Sequence, residues 1–249
     1  MRADIYQEMA KVEGRHWWFR ARRTILTHLL RKLKLPPSAA ILDAGSGTGG
    51  NLAMLSQFGS LFAMEMNASA RALAARNNAV TIEDGLLPDK IPYGDQKFDL
   101  VTMFDVLEHV ERDFDTLRAL QERLVPNGKI LLTVPAFMFL WSGHDGFNHH
   151  KRRYRLPQLV DLCERAGFKV LRASYMNFWL FPLIAAVRIF DRLTHSRIVA
   201  KNSDSNVEMG IPPAPINWLL EEIFASETYL LDIMRLPFGV SIVLTAQKA

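Results

Sequence analysis

The chain has 249 residues, 49% hydrophobic and 22% charged, which suits one large domain, or one with an elaboration, and excludes a disordered or fibrous chain. A net charge of +4 is mildly basic and short of what marks a dedicated nucleic-acid binder. The lone cysteine, Cys163, excludes an internal disulfide framework and a thiolate zinc site, and its setting in "LVDLCERAG" predicts a packed thiol.

The opening "MRADIYQEMA" carries no apolar core and no small-residue cleavage pattern, so a cytoplasmic location is expected. After the basic, aromatic "GRHWWFRARR", residues 22–34 read as a helix ended by "LPPS". Then the pattern alternates. "AAILDAG" predicts a buried strand, "GGNLAMLSQFG" a helix closed by Gly59, "LFAMEMN" a second strand and "ASARALAARNN" a second helix. "AVTIEDG" and "KFDLVTMFD" predict strands three and four. "RDFDTLRALQERLVPNG" predicts a helix stopped by Pro126 and Gly128, and "KILLTVPAF" strand five. Strands recurring between helices, each an apolar run without clean alternation, predict a parallel sheet covered on both faces.

The tail breaks this rhythm. "LPQLVDLCERAG" predicts a helix and "FKVLRASYM" a sixth strand; "GVSIVLTAQKA" closes the chain as a seventh. With no simple crossover between the last two strands, an antiparallel edge is expected. Between them lie two predicted helices, around "LIAAVRIFDRL" and "INWLLEEIFASETYLL", separated by a loop in "KNSDSNVEMGIPPAP". Residues 173–187 carry no charge, but the run is shorter than the ~20 apolar residues a membrane span needs and contains Pro182. A buried helix or a membrane-surface helix, over about 175–193, is left open.

The stretch "ILDAGSGTGG", 41–50, sits between a strand and a helix, where backbone N–H groups and a helix start can face a ligand. Gly45, Gly47 and Gly50 fit G-x-G-x-x-G, the dinucleotide pattern. Asp43, Gly45, Gly47 and Gly49 fit D-x-G-x-G-x-G, the pattern of S-adenosylmethionine (SAM) binders. Asp43 discriminates between them: a carboxylate at this loop repels a pyrophosphate and suits a ligand carrying an ammonium and a sulfonium. Glu65, about 20 residues after the loop begins, is placed to accept from ribose hydroxyls, a device that nicotinamide enzymes share.

With these motifs the chain resembles the class I SAM-dependent methyltransferases of the small-molecule branch, over residues 38–175 plus the last strand. The resemblance implies an α/β fold: a seven-stranded, mostly parallel Rossmann-like sheet with an antiparallel last strand and helices on both faces. It implies SAM as cofactor, held by Asp43, Gly45, Gly47, Gly49 and Glu65, with Met66 against adenine and Asp84 of "EDG" (before Gly85) accepting from the adenine amino group. "FDLVTMFDVLEHV" resembles the fourth-strand motif, placing Phe104 and Asp105 beside the methionine moiety and His109 just beyond. The implied organisation is an N-terminal helical lid segment (1–37), the SAM-binding core (38–177), a helical insertion shaping the acceptor site (178–236) and the last core strand (237–249).

For the acceptor, "WSGHDGFNHHKRRY", 141–154, follows strand five, at the sheet end where ligands sit. His144, Asp145, His149 and His150 are bases or metal ligands in kind, and Lys151, Arg152 and Arg153 suit an anionic acceptor. His spacing does not favour a metal, since no i, i+4 pair lies on a certain helix, so none is expected. His109 and His144 are the candidate catalytic bases; Trp18, His149, Arg152 and Arg153 are the candidate acceptor contacts. His109 reads equally as a packed side chain, and Trp17, Trp18 and Phe19 as core packing. The loop and the "HWWFRARR" opening resemble those of bacterial methyltransferases whose acceptor is unassigned, sugars and lipid-linked molecules being the suspected ones. The expected partner is therefore a small-molecule or lipid-linked acceptor, with peripheral contact at the inner membrane surface left open. A nicotinamide oxidoreductase, a nucleic-acid methyltransferase and a non-catalytic SAM-binding module are the competing readings. "FDVL" stands where base-amine methyltransferases carry N-P-P-[YF], which disfavours the second.

Overall fold

The computed structural model describes residues 3–77, 80–194 and 210–249. Its strands are β1 (Ala40–Ala44), β2 (Ser60–Glu65), β3 (Ile82–Asp84), β4 (Phe98–Phe104), β5 (Leu124–Pro135), β6 (Phe168–Met176) and β7 (Ser241–Lys248). They form one sheet in the order β3-β2-β1-β4-β5-β7-β6. Ile41 and Leu42 on β1, and Leu100 and Val101 on β4, are consecutive and fully buried, so both faces of the central strands are covered by helices. The strand order reverses between β1 and β4. Their carboxyl ends therefore part to leave a crevice, and the loops that follow, at 45–50 and 105–110, border it.

The last strand is antiparallel, as expected, but it does not lie at the edge. β7 pairs antiparallel with both β5 and β6, leaving β6 outermost. Ile242, Val243 and Leu244 are all buried, a continuous apolar run that fits an interior position and wastes nothing on a solvated edge.

Helix ends depart from expectation for local reasons. A helix α1 (Ala3–Val12) precedes the predicted ones. The next helix, α2 (Trp17–Lys32), starts before residue 22 because the His16 ring accepts the N–H of Trp18 at 3.2 Å, an unusual N-cap that turns the aromatic run helical. Ile25, Leu26 and Leu30 of α2 are fully buried, so this segment belongs to the main core. The helix after the glycine loop, α3, spans only Leu52–Leu55. Helix α4 covers Ala68–Asn77 and α5 Asp113–Glu122. α5 stops short of Pro126 because Leu124 already pairs with Phe98; residues 125–128 bulge out of β5, with Asn127 in the left-handed region, before Lys129 pairs with Leu100. Then follow α6 (Gly143–Phe147) and α7 (Leu156–Arg165). Cys163 on α7 is buried, and burial pushes its thiol up to about 12, so it is an unreactive packing group.

Between β6 and β7 lie α8 (Phe181–Thr194), α9 (Ala214–Ala225) and α10 (Glu227–Ile233). The single helix expected over 216–231 breaks at Ser226, and most of the loop expected at 201–215 lies outside the described residues. α9 docks on α2: Asn217 accepts from Trp17 N–H at 2.9 Å and donates to Arg15 C=O at 3.0 Å, while Arg20 pairs with Glu221 at 3.0 Å. Glu227, fully buried, accepts the N–H groups of Asn177, Phe178 and Trp179 at 2.7, 2.6 and 3.1 Å. It thereby ties the turn after β6 to α10. Glu227→Ala takes the acceptor from three backbone donors, the buried Asn177 N–H among them, and a loss of about 2–3 kcal/mol is expected, read as a lower melting temperature in calorimetry. No described helix is long and apolar enough to cross a membrane.

Candidate active site

The loop after β1 is pinned by two bonds, Gly45 N–H and Ser46 N–H both to Met64 C=O at 2.9 Å. Gly45 has φ +94°, and a Cβ there would lie 2.6 Å from the Val106 side chain, so only glycine lets the loop press against the exit of β4. Gly47, φ +55°, faces open space, with nothing within 4 Å of where a Cβ would stand. Its N–H donates to one oxygen of Glu65 at 2.9 Å, and Asn67 N–H donates to the other at 2.9 Å. Glu65 is thus fixed beneath the loop with lone pairs to spare.

Asp43 lies under the same loop. It is buried and accepts the Thr102 hydroxyl at 2.7 Å. Burial pushes its carboxyl up to about 6, opposed by the Thr102 bond and by Arg22, and reinforced by Glu65. Asp105 follows β4 in the left-handed region, φ +55°, its N–H on Thr133 C=O at 3.0 Å and its carboxylate accepting the Thr133 hydroxyl at 3.1 Å.

Arg22, one of the cations of the basic, aromatic opening, is the group that meets these acids. It is buried on α2, ion-pairs with Asp105, and sits over the Trp18 ring at 4.6 Å and the Phe104 ring at 5.9 Å. Burial, then the charge of Arg23, draws its guanidinium down to about 10, while Glu108, Asp43 and Glu13 hold it up; at neutral pH it stays charged. Its Nε has no hydrogen-bond partner. Glu13, at the end of α1, accepts the Thr48 hydroxyl at 2.7 Å and lies against Gly50, so α1 reaches over the loop. Sequence reasoning passed over both Glu13 and Arg22, because neither stands in a recognisable spacing.

The other expected cofactor contacts gather at this end of the sheet, in differing states. Met66 is 64% exposed beside Glu65. Gly85 packs on Met64, and Phe104 is buried. Asp84 is already engaged by Lys90 at 2.5 Å and Arg71 at 2.7 Å, and these cations, Lys90 first, hold its carboxyl below the usual range.

The loop after β5 is organised by Asp145, which is fully buried. Arg153 grips it with two bonds, 2.7 and 3.0 Å, His150 Nδ1 lies at 2.9 Å, and Ser142 N–H donates at 2.9 Å. Burial works to raise this carboxyl, yet the His150 and Arg153 bonds outweigh it and hold it well below the usual range. Arg152 is taken by Asp113 at 2.7 Å, and His149 stands exposed with φ +57°. His144 falls on α6, but its side chain lies outside the described residues. His109 ends the short turn after β4 (107–109) with its ring edge-on to His150, 4.6 Å between centroids. Burial, and then His150, draws its imidazole down to about 3. Glu108 beside it is fully buried, and burial pushes its carboxyl up to about 8. Phe104, Asp105 and Trp18 thus come together around Arg22, whereas Arg152 is held by Asp113 and His149 stands on the surface.

Comparison with known proteins agrees with this geometry. Residues 15–173 match a family described as a methyltransferase domain. The mitochondrial ubiquinone biosynthesis O-methyltransferase of Schizosaccharomyces pombe is 29% identical over 152 residues, 52% of this chain; the match spans only about half (53%) of that relative's length. Among solved structures, phosphoethanolamine N-methyltransferase 2 of Haemonchus contortus, in complex with SAM, is 16% identical, with 90% of this chain and 52% of that chain covered and a TM-score of 0.56. A structure of the Haloferax volcanii Trm112 methyltransferase activator with a methyltransferase gives 17% identity, 99% and 93% coverage and a TM-score of 0.59. At such identities the structural likeness speaks for the fold alone. The motifs, the sheet order and the family match lead to one conclusion: the chain belongs to the methyltransferase-domain family and is a class I SAM-dependent methyltransferase.

Proposed function

We propose that this methyltransferase acts on a small-molecule acceptor with an apolar portion, a lipid-linked molecule fitting best. The observation that carries this reading is an aromatic cluster at the carboxyl ends of β5 and β6, the same end of the sheet as the glycine loop. Phe137 stacks on Tyr175 at 4.9 Å and meets Phe181 at 5.9 Å; Phe238 stacks on Phe178 at 4.7 Å and contacts Phe181 at 5.0 Å. Beside it, α8 turns Leu183, Val187 and Phe190 outward, at i, i+4 and i+7. That stripe supports a peripheral lipid contact as well. The name of the Schizosaccharomyces pombe relative, a ubiquinone biosynthesis O-methyltransferase, points the same way.

The residues around the loop fit SAM. The face at Gly47 is open, and Asp43 and Glu65 lie beneath the loop, a setting hostile to a diphosphate and suited to a cationic ligand. In this reading Glu65 receives the ribose hydroxyls, Met66 covers the base with Asp84 and Gly85 nearby, and Arg22 takes the carboxylate of the methionine moiety. When bound, SAM supplies an electrophilic methyl group on its sulfonium sulfur. The chain itself contributes chiefly orientation and exclusion of water. Trp18 under Arg22, with α1 above the loop, closes one side. An imidazole that protonates only near pH 3 makes a weak general base, so proton removal by His109 is a minor contribution; His144 is the other candidate.

A nucleic-acid acceptor is disfavoured because the cations of the 141–154 loop are internally paired, Arg153 with Asp145 and Arg152 with Asp113. The test is incubation of the pure chain with methyl-labelled SAM and a cell extract, followed by mass spectrometry of separated fractions. Label in the lipid or small-molecule fraction is expected, with the protein floating on liposomes if α8 touches them. Label confined to nucleic acid would overturn the acceptor class, and no label despite firm SAM binding would favour a non-catalytic module.

A further inference from the structure

We propose that Glu108, His109 and His150 form a binding site for one divalent first-row transition-metal ion of the zinc type. One ligand atom from each of the three lies within 4.8 Å of the other two. Metal bonds of about 2.0–2.2 Å set neighbouring donors about 3–3.5 Å apart, so closure needs a movement of about 1 Å. Two imidazoles and one carboxylate make a nitrogen-rich set that suits zinc and its neighbours and not magnesium or calcium.

An independent observation points to a ligand. Glu108 is fully buried, and neither of its oxygens finds a hydrogen-bond partner on another residue. Stranded in this way, the group carries a large desolvation penalty when ionised and an unpaired O–H when protonated, unless an ion or water sits against it. His150 is no remedy, since its Nε2 lies 3.9 Å from the Glu108 Oε1, too far for a hydrogen bond. His150 is also dressed as a metal ligand. Its Nδ1 is held by Asp145 at 2.9 Å, which fixes the tautomer with a lone pair on Nε2, facing Glu108. A carboxylate behind a ligating histidine is the usual outer partner of such sites, and here Arg153 holds that carboxylate in turn. The main-chain carbonyls of Asn148 and His149 face the His109 ring and orient it likewise.

The site lies beside the cofactor loop, because Gly45 packs against Val106, two residues before Glu108. Three protein ligands leave a coordination position for water or for an acceptor oxygen, which the ion would polarise and orient. The proposal goes beyond the acceptor reading and stands without it.

The purified full-length chain, stripped with a chelator, is titrated with Zn2+ by calorimetry and with Co2+ by visible absorption. One equivalent is expected, with the intense d–d bands of a low-coordinate nitrogen site. Glu108→Gln and His150→Asn should each weaken binding by roughly 100-fold, at or beyond the upper end of what losing an outer partner costs. His150→Asn, whose ring is not among the charges acting on Arg22, should keep the binding isotherm of S-adenosylhomocysteine, so failure here is separable from failure of the cofactor site. Equal affinity in the variants overturns the proposal. If either variant does not fold, the unaltered chain decides: the weak spectrum of hydrated Co2+ overturns it just as firmly.

Discussion

Asp43→Asn is expected to abolish most SAM affinity while leaving the ligand-free chain at least as stable as before at about pH 7.5. Both halves follow from the burial of this carboxylate. Its folded pKa of about 6 stands above the ordinary 3.8, so the folded state holds a proton that the unfolded chain has released between those values. Stability therefore falls as pH rises through that window, and above about pH 6 the full penalty, about 3 kcal/mol, is in force. Asn keeps the Thr102 contact without the charge, so the variant should melt at an equal or higher temperature near neutrality, the difference closing toward pH 4. The cationic ligand loses its counter-charge. A drop of about 100-fold is expected, the equivalent of about 3 kcal/mol. S-adenosylhomocysteine, which lacks the sulfonium charge, should lose less. In the unaltered chain SAM binding should weaken below about pH 6, by up to about tenfold per unit, and the variant should show no such slope. Calorimetric titration across this range checks all of it; SAM binding within twofold of the original would sink the role given to Asp43.

Arg22→Ala should be the most destabilising single change at the site. It leaves Asp105 without its ion pair and removes the positive charge facing Asp43 and Glu108, all three gathered at one strand-end crevice. Removing one partner of a buried pair costs about 3–5 kcal/mol, which for a chain of this size lowers the melting temperature by about 10 °C. Arg22→Lys separates structure from binding. The ammonium keeps the charge but loses the planar stacking on Trp18 and the forked donors that a carboxylate ligand needs. A small fall in melting temperature with about tenfold weaker SAM binding is expected. If Arg22→Ala melts within a degree or so of the unaltered chain, the guanidinium is not the counter-ion the geometry makes it.

The strand–loop–helix at 40–55 was readable because its information is local. Apolar runs, a carboxylate and glycines at fixed offsets need no distant partner to be recognised. The same holds for Glu65, whose distance from the loop is set by one crossover. Arg22 was not readable in this way. In "HWWFRARR" it looks like its neighbours Arg20 and Arg23, and only the packing of α2 into the core buries it. The pairing of Arg153 with Asp145 likewise turns an apparent anion-binding loop into a self-satisfied scaffold.

Sequence alone determined that this chain builds a mostly parallel sheet around a glycine loop with an acid at its entrance, because period, turn chemistry and charge are properties of contiguous residues. Tertiary structure decided where β7 inserts, which arginine is buried, and that Glu108 and His109, after β4, stand beside His150, after β5. Those last contacts arise from the adjacency of two strands, and a linear chain holds no local trace of which strand ends will become neighbours.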